Sequence, residues 1–167
     1  DKDKRYGEAY YKLALTDLQL GEISTAVQML RRAVELLPKG KADADDATLK
    51  LSEIMLMAAQ GDSKNSAQLI LDVQPMVDGL LQRNPKSWEG HKLSGDLALL
   101  GATQFFRDGK APEAKAQVEK AIQEYRTALS AKPGDYVITL ALGRTLALDG
   151  ETGEAEGLFK SLVAKDK

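Results

Sequence analysis

The chain has no cysteine, so disulfides and thiolate metal sites are excluded and the redox compartment stays open. It has one histidine, His91, which leaves no imidazole pair to hold a metal. We expect His91 to be a solvated helix residue. Aromatics make up only 5% of the 167 residues, so any core must be assembled from leucine and small side chains packed closely. Neither sign of charge dominates, with Lys+Arg at 23 and Asp+Glu at 25. The absence of a basic stripe argues against nucleic acid as a partner. No apolar run approaches the roughly 18 residues needed to span a membrane.

Catalytic motifs are missing as well. There is no G-x-S-x-G and no thiol nucleophile. Gly109-Lys110 and Gly150-Glu151-Thr152-Gly153 lack the glycine–lysine–serine/threonine run of a phosphate loop and read as turns. Glu113, Glu119 and Glu124 lie near Lys115 and Lys120 and read as solvated charge pairs. Asp43, Asp45 and Asp46 do not form a calcium loop. Counted from Asp43, the places that need glycine and glutamate hold Thr48 and Ile54. They read instead as acidic residues at a helix N-terminus. No metal, cofactor or enzymatic activity is expected.

What is present is a folded composition, 43% hydrophobic and 29% charged. The most informative stretch is Tyr10–Pro38. Tyr10, Leu13, Ala14 and Asp17 share one face of a first helix, at about 6–20. Gly21-Glu22 interrupts the pattern. Ala26, Leu30, Ala33 and Leu37 mark a second helix, at about 23–37, which Pro38 ends. Ser24 and Thr25 are available as its caps. Ala14 and Ala26 allow close approach of the two backbones, with Leu13 and Leu30 filling the space around them.

The pattern recurs at the far end. Gly143 to Gly150 is seven residues, as Ala14 to Gly21 is. Gly150 to Ala155 is five, as Gly21 to Ala26 is, and Ala155 to Phe159 is four, as Ala26 to Leu30 is. Between these copies stand two longer units. Gly95, Ala102 and Gly109 recur every seven residues, with Ala98 and Phe105 on the same face. Ala114 to Pro133 is nineteen residues where Ala26 to Pro38 is twelve. Each middle helix should therefore exceed its counterpart by about two turns, roughly 10 Å.

The remaining helices are expected at about 45–60, 63–83, 87–107, 112–132, 135–149 and 152–164. Ile54 to Ala59 is apolar on every side, which predicts a helix covered on both flanks with methionines as core filler. Pro75 should kink or break its helix. Trp88 should pack on the preceding unit. The hairpin tips at Gly61-Asp62 and Gly109-Lys110 should project.

This unit resembles the tetratricopeptide repeat, a helix–turn–helix of roughly 34 residues. Tyr10, Leu13, Ala14, Gly21, Ala26, Leu30, Ala33 and Pro38 carry the likeness, and Asp17 stands where the family usually has an aromatic. The resemblance implies an all-α solenoid of about four antiparallel helix pairs in a right-handed superhelix. The units fall at about 6–38, 43–85, 86–133 and 134–165. It also implies a protein-interaction scaffold whose first helices line a concave surface. Carried over, that surface holds Glu8, Tyr11, Leu15 and Gln19, then Leu51 and Met55, then Lys92, Asp96 and Leu99, then Leu140, Arg144 and Ala147. Family members that grip a chaperone C-terminus use lysine and asparagine where this chain has Tyr11 and Leu15, so that clamp is not expected. A peptide or helix lying in a groove suits the mixed surface better.

RYGEAYYKLALTDLQLGE and PGDYVITLALGRTLALDGETGEAE are similar to segments of the long bacterial repeat proteins of exopolysaccharide and protein-sorting systems, which would place the protein in the bacterial envelope. The opening at Asp1 without methionine reads as a cut from a longer array. Phe159, Leu162 and Val163 should then face a following repeat and cause weak self-association. Two alternatives stay open: a structural spacer or self-assembly module, and the non-catalytic part of a larger enzyme.

Overall fold

The computed structural model describes residues 2–61 and 66–164. Among them lie eight α-helices and no strand. They are α1 (Lys2–Leu20), α2 (Ile23–Leu36), α3 (Ala42–Gly61), α4 (Ser66–Arg83), α5 (Trp88–Arg107), α6 (Ala111–Ala131), α7 (Tyr136–Asp149) and α8 (Thr152–Ala164). They divide into two compact units, Asp1–Asn84 and Pro85–Lys167. Each unit holds two helical hairpins, and within it each helix packs chiefly on its sequence neighbours.

In the first unit, Ala14, Ala26, Leu30 and Ala33 are fully buried, as their spacing requires. Leu13 differs from expectation: it is 47% exposed and does not fill the helix contact. The α2 N-terminus also differs. Its cap is Glu22, which makes no side-chain cap hydrogen bond, and Ser24 and Thr25 lie in its exposed first turn. α1 runs further back than expected because Lys2–Arg5 continue the helix. It therefore has 19 residues, nearly matching the 20 of α5. The second helices keep the predicted difference, with 21 residues in α6 against 14 in α2. α5 is continuous through Gly101.

α3 is not covered on all sides: Met55 and Leu56 are buried, but Met57 is 71% exposed. α4 passes unbroken through Pro75, which leaves the Leu71 carbonyl without its helical donor. The expected start of this helix at Ser63, and the tip at Gly61-Asp62, fall on or beside 62–65, outside the described residues. Arg83 reaches Asp45 at 3.1 Å and ties the end of α4 to the start of α3.

The hairpin turns repeat one device. Gly150 ends α7 in the left-handed region at φ 92°, and the Glu151 N–H then reaches back to the Leu146 carbonyl at 2.9 Å. A side chain at that φ would crowd the backbone, so glycine is the fitting residue. Glu22 N–H to Asp17 O and Lys110 N–H to Phe105 O repeat the bond at 2.9 Å.

The second unit has one continuous core: Ala98, Ala102, Val118, Ala121, Ile122, Tyr125, Ala128, Ile138, Leu142, Leu146 and Ala155. Trp88 packs on the core of its own unit, with the Lys132 ammonium 3.6 Å from its ring centroid. Lys132 also meets Asp135 at 2.9 Å, so one cation links the start of α5, the end of α6 and the cap of α7. His91 is not solvated either. Its ring nitrogens stand 2.6 Å from Glu124 and 3.0 Å from the Pro85 carbonyl, so Glu124 spans helices instead of pairing along α6.

The open end also departs from expectation. Phe159 packs on the core beside Gly143, and Leu162 is 8% exposed, because both side chains turn into their own hairpin. Only Val163, 67% exposed, faces outward.

Candidate functional site

The twelve side chains assigned to a partner surface separate into three groups. The first is core. Leu51 and Met55 are 1% and 3% exposed and serve the interior of the first unit. The cause is periodicity: α3 is apolar over more than one face, and the pattern alone does not say which arc turns inward.

The second group ties helices together. Tyr11 is 6% exposed, and its hydroxyl donates to the Asp46 carboxylate on α3. Its phenol is held well above its ordinary value by burial, then by the Asp46 hydrogen bond and charge, then by Asp43. Lys50 stands 3.6 Å from the same carboxylate. In the second unit, Asp96 uses both oxygens, accepting from Tyr125 Oη at 2.7 Å and from Lys92 Nζ at 2.8 Å. Burial first, and Asp96 second, push the Tyr125 phenol far up. Lys92 is 8% exposed, and this network holds it in place. Tyr125, Asp46, His91 and Glu124 were not among the sequence candidates. Their partners lie 29 to 35 residues away along the chain, beyond the reach of helical spacing.

The third group is available at the surface. On α1 it comprises Glu8, Leu15 and Gln19, with Gln19 exposed and the other two half-buried. On α5 it is Leu99, half-buried against the core. On α7 it is Leu140, Arg144 and Ala147, the last two exposed. α7 has the clearest chemistry. Its sequence, YVITLALGRTLALD, is apolar nearly all round. Ile138, Leu142, Thr145 and Leu146 turn inward. Val137, at 55%, and Leu148, at 60%, lie outward with Leu140 and Arg144. The outcome is an exposed apolar arc with one guanidinium at its centre.

Two open cavities lie elsewhere. One, of about 230 Å³, is lined by Glu119, Asp149, Glu151 and Glu154, with Arg126 held to Glu154 at 2.7 Å. The other, of about 330 Å³ in the first unit, lies between Val34, Lys39 and the Pro75–Gly79 stretch of α4. Among the described residues, no group of three or more histidine or acidic side chains could hold a metal ion. No helix there is long and apolar enough to cross a membrane.

The α1–α2 hairpin thus has buried small residues at its crossing, a left-handed glycine at its turn and an extended exit at Leu37-Pro38. The tetratricopeptide-repeat family model matches residues 7–39. Residues 7–39 are a tetratricopeptide repeat. No curated protein matches the chain in sequence. In structure, the chain is similar to MamA 41-end from Desulfovibrio magneticus RS-1, with a TM-score of 0.58 and 16% identity over 95% of this chain and 74% of that one. A crystal structure of MamA protein aligns with a TM-score of 0.39 and 17% identity, over 96% of this chain and 92% of that one. The first likeness is one of fold. With the repeat at 7–39, it shows the all-α, solenoid-type class. The spacings from Gly143 to Phe159 equal those from Ala14 to Leu30, with glycine and phenylalanine at the positions of Ala14 and Leu30.

Proposed function

We propose that the protein is an interaction scaffold that holds a peptide or helix against the outward flank of α7, at Leu140, Arg144 and Ala147; Glu8, Leu15 and Gln19 on α1, and Leu99 on α5, are candidate contacts taken helix by helix. The observation that carries this reading is the α7 arc. A helix apolar on both sides is normally covered on both sides. Here the outer side is open, and an apolar surface centred on one cation suits a partner helix. Arg144 would orient that helix by pairing with a carboxylate, and the apolar neighbours would exclude water around the pair. Lys92 and Asp96 hold the shape of α5 and contribute no contact.

A displayed library of helical peptides, selected on the full chain, tests the reading. Enriched sequences should carry apolar residues at i, i+3 or i+4, and i+7, with one acidic residue among them. Leu140→Asp and Arg144→Glu should each weaken their binding by about ten-fold or more. Glu156→Ala, on the outer face of α8, should not. Peptides that keep full affinity for both α7 variants would remove the proposal.

A further inference from the structure

His91, the chain's sole histidine, is held at both nitrogens of its ring. It lies in the first turn of α5. Its Nδ1 stands 2.6 Å from Glu124 Oε2 on α6, and its Nε2 stands 3.0 Å from the Pro85 carbonyl oxygen in the loop before α5. The two side chains are 16% and 22% exposed, so the Nδ1 contact is largely withdrawn from water. A neutral imidazole carries one N–H and one lone pair, and only the imidazolium donates from both nitrogens. A carbonyl oxygen can only accept, and so can an ionised carboxylate. The two contacts therefore need two protons: one on Nε2 for Pro85, and one shared between Nδ1 and Glu124. Moving the second proton onto the carboxylate changes its address and leaves the count at two.

The other charged groups nearby are engaged or placed elsewhere. On α5, Glu89 accepts from Ser87 Oγ at 2.8 Å, and Lys92 donates to Asp96 at 2.8 Å. On α6, Lys120 lies exposed one turn before Glu124. At the end of that helix, Lys132 is held between the Trp88 ring and Asp135. In the loop, Lys86 follows Pro85. Loss of one proton from the ring then forces a choice. The Nδ1 proton faces a carboxylate, and a charge-assisted hydrogen bond is about twice as strong as a neutral one. The Nε2 proton faces a neutral carbonyl in the more exposed contact, so it leaves first and a lone pair is left against the Pro85 oxygen. We propose that His91 is a pH-operated latch on the loop before α5. With both nitrogens protonated it clasps Pro85 and Glu124 together. With one proton lost it stays with Glu124 and lets Pro85 go. The latch is closed on the acid side and opens as the pH rises through the range, about 5 to 8, in which histidine changes charge. Pro85 is the first residue of the second compact unit, so the latch sets the order of the segment that enters that unit.

Nuclear magnetic resonance of the full chain between about pH 5 and pH 8 tests this. The imidazole signals need no assignment, because the chain has no other histidine. Both ring nitrogens should be protonated at the acid end. At the basic end the proton should remain on Nδ1, whereas a solvated neutral histidine keeps it chiefly on Nε2. The Lys86 amide shares its peptide plane with the Pro85 carbonyl, so its shift reports the latch directly. That shift should move with the ring and at the same midpoint. In Glu124→Gln, the new amide can donate to a neutral Nδ1 while Nε2–H holds Pro85. Lys86 should then stay near its acid-form shift throughout. In His91→Phe, the Lys86 titration should disappear. A neutral ring protonated on Nε2, or a Lys86 amide that does not move with the ring, would overturn the proposal. So would a Lys86 titration that survives His91→Phe or is unchanged in Glu124→Gln.

Discussion

Gly95 and Gly101 stand six residues apart on α5 and meet different surroundings. A Cβ built on Gly95 would lie 2.7 Å from the Tyr125 ring, which is 1% exposed and anchored to Asp96 through its hydroxyl. The ring cannot yield without breaking that bond. A Cβ on Gly101 would lie 3.8 Å from the Gln117 side chain, an ordinary contact. Alanine gains up to about 1 kcal/mol over glycine inside a helix. Overpacking a core costs about 1–3 kcal/mol. Gly95→Ala should therefore lower the melting temperature and Gly101→Ala should raise it, as followed by circular dichroism. Equal signs would show that the glycine–tyrosine contact does not set the α5–α6 distance. The same logic explains the two ends of the chain. The equivalent positions in the first hairpin are Ala14 and Leu30, both fully buried, whereas Gly143 meets Phe159 in the last, where a Cβ would lie 2.5 Å from the ring. A smaller residue on one helix is balanced by a larger one on its mate.

At the level of elements, capping differs between hairpins, and α7 is the best defined. The Asp135 carboxylate accepts from the Ile138 N–H at 3.0 Å. Burial alone would raise its pKa. The Ile138 N–H, then Lys132, then the Val137 N–H outweigh that, and the group is held below the ordinary 3.8. A depressed carboxylate adds stability that is complete above its unfolded value and disappears as pH falls below it towards the folded one. Asp135→Asn should keep the cap at neutral pH and flatten the wild type's loss of stability below about pH 4. Asp135→Ala should cost about 1 kcal/mol at neutral pH. Urea midpoints at pH 7 and pH 3 would separate the two.

Helix number, type and most boundaries were legible because glycine, proline and small-residue spacings punctuate the chain. What spacing could not show was orientation about each helix axis. Leu13, Met57, Phe159 and Leu51 all obey the apolar period, yet the first two are exposed and the last two turn inward. The carboxylate ties at Asp46, Asp96 and Glu124 were hidden for a different reason: their partners sit on neighbouring helices. The exposure of the α7 residues was readable because apolar character exceeds what one buried face can use, and their contact with a partner is a proposal. Asp17 was visible only as a departure from the family's aromatic, and the burial of its Oδ2 without a donor is a matter of packing.

Over the whole chain, the two compact units differ in how completely their local requirements are met. Each has its own interior: Leu30, Leu51, Val73, Val77 and Leu80 in the first, and the cluster around Tyr125, Ile138 and Leu146 in the second. A unit of 80-odd residues is near the small end of independently stable domains, so local defects weigh heavily. The second unit has side-chain caps at Ser87 and Asp135, a left-handed glycine stop at Gly150 and an internally satisfied Lys92–Asp96–Tyr125 network. The first has no side-chain cap on α2, a proline inside α4 and the partnerless oxygen of Asp17. Helical-repeat units draw their stability from themselves and their nearest neighbours. Residues 85–167, produced alone, should therefore fold cooperatively and melt at a higher temperature than residues 1–84 produced alone. Far-ultraviolet circular dichroism and urea titration of the two fragments would measure the order. The Asp17→Leu substitution should narrow the gap, because it replaces a buried unpaired charge in the weaker fragment with a side chain that its surroundings can hold. A gap that is reversed, or one that Asp17→Leu widens, would mean that Asp17 is already satisfied within the hairpin and that its position reflects stability.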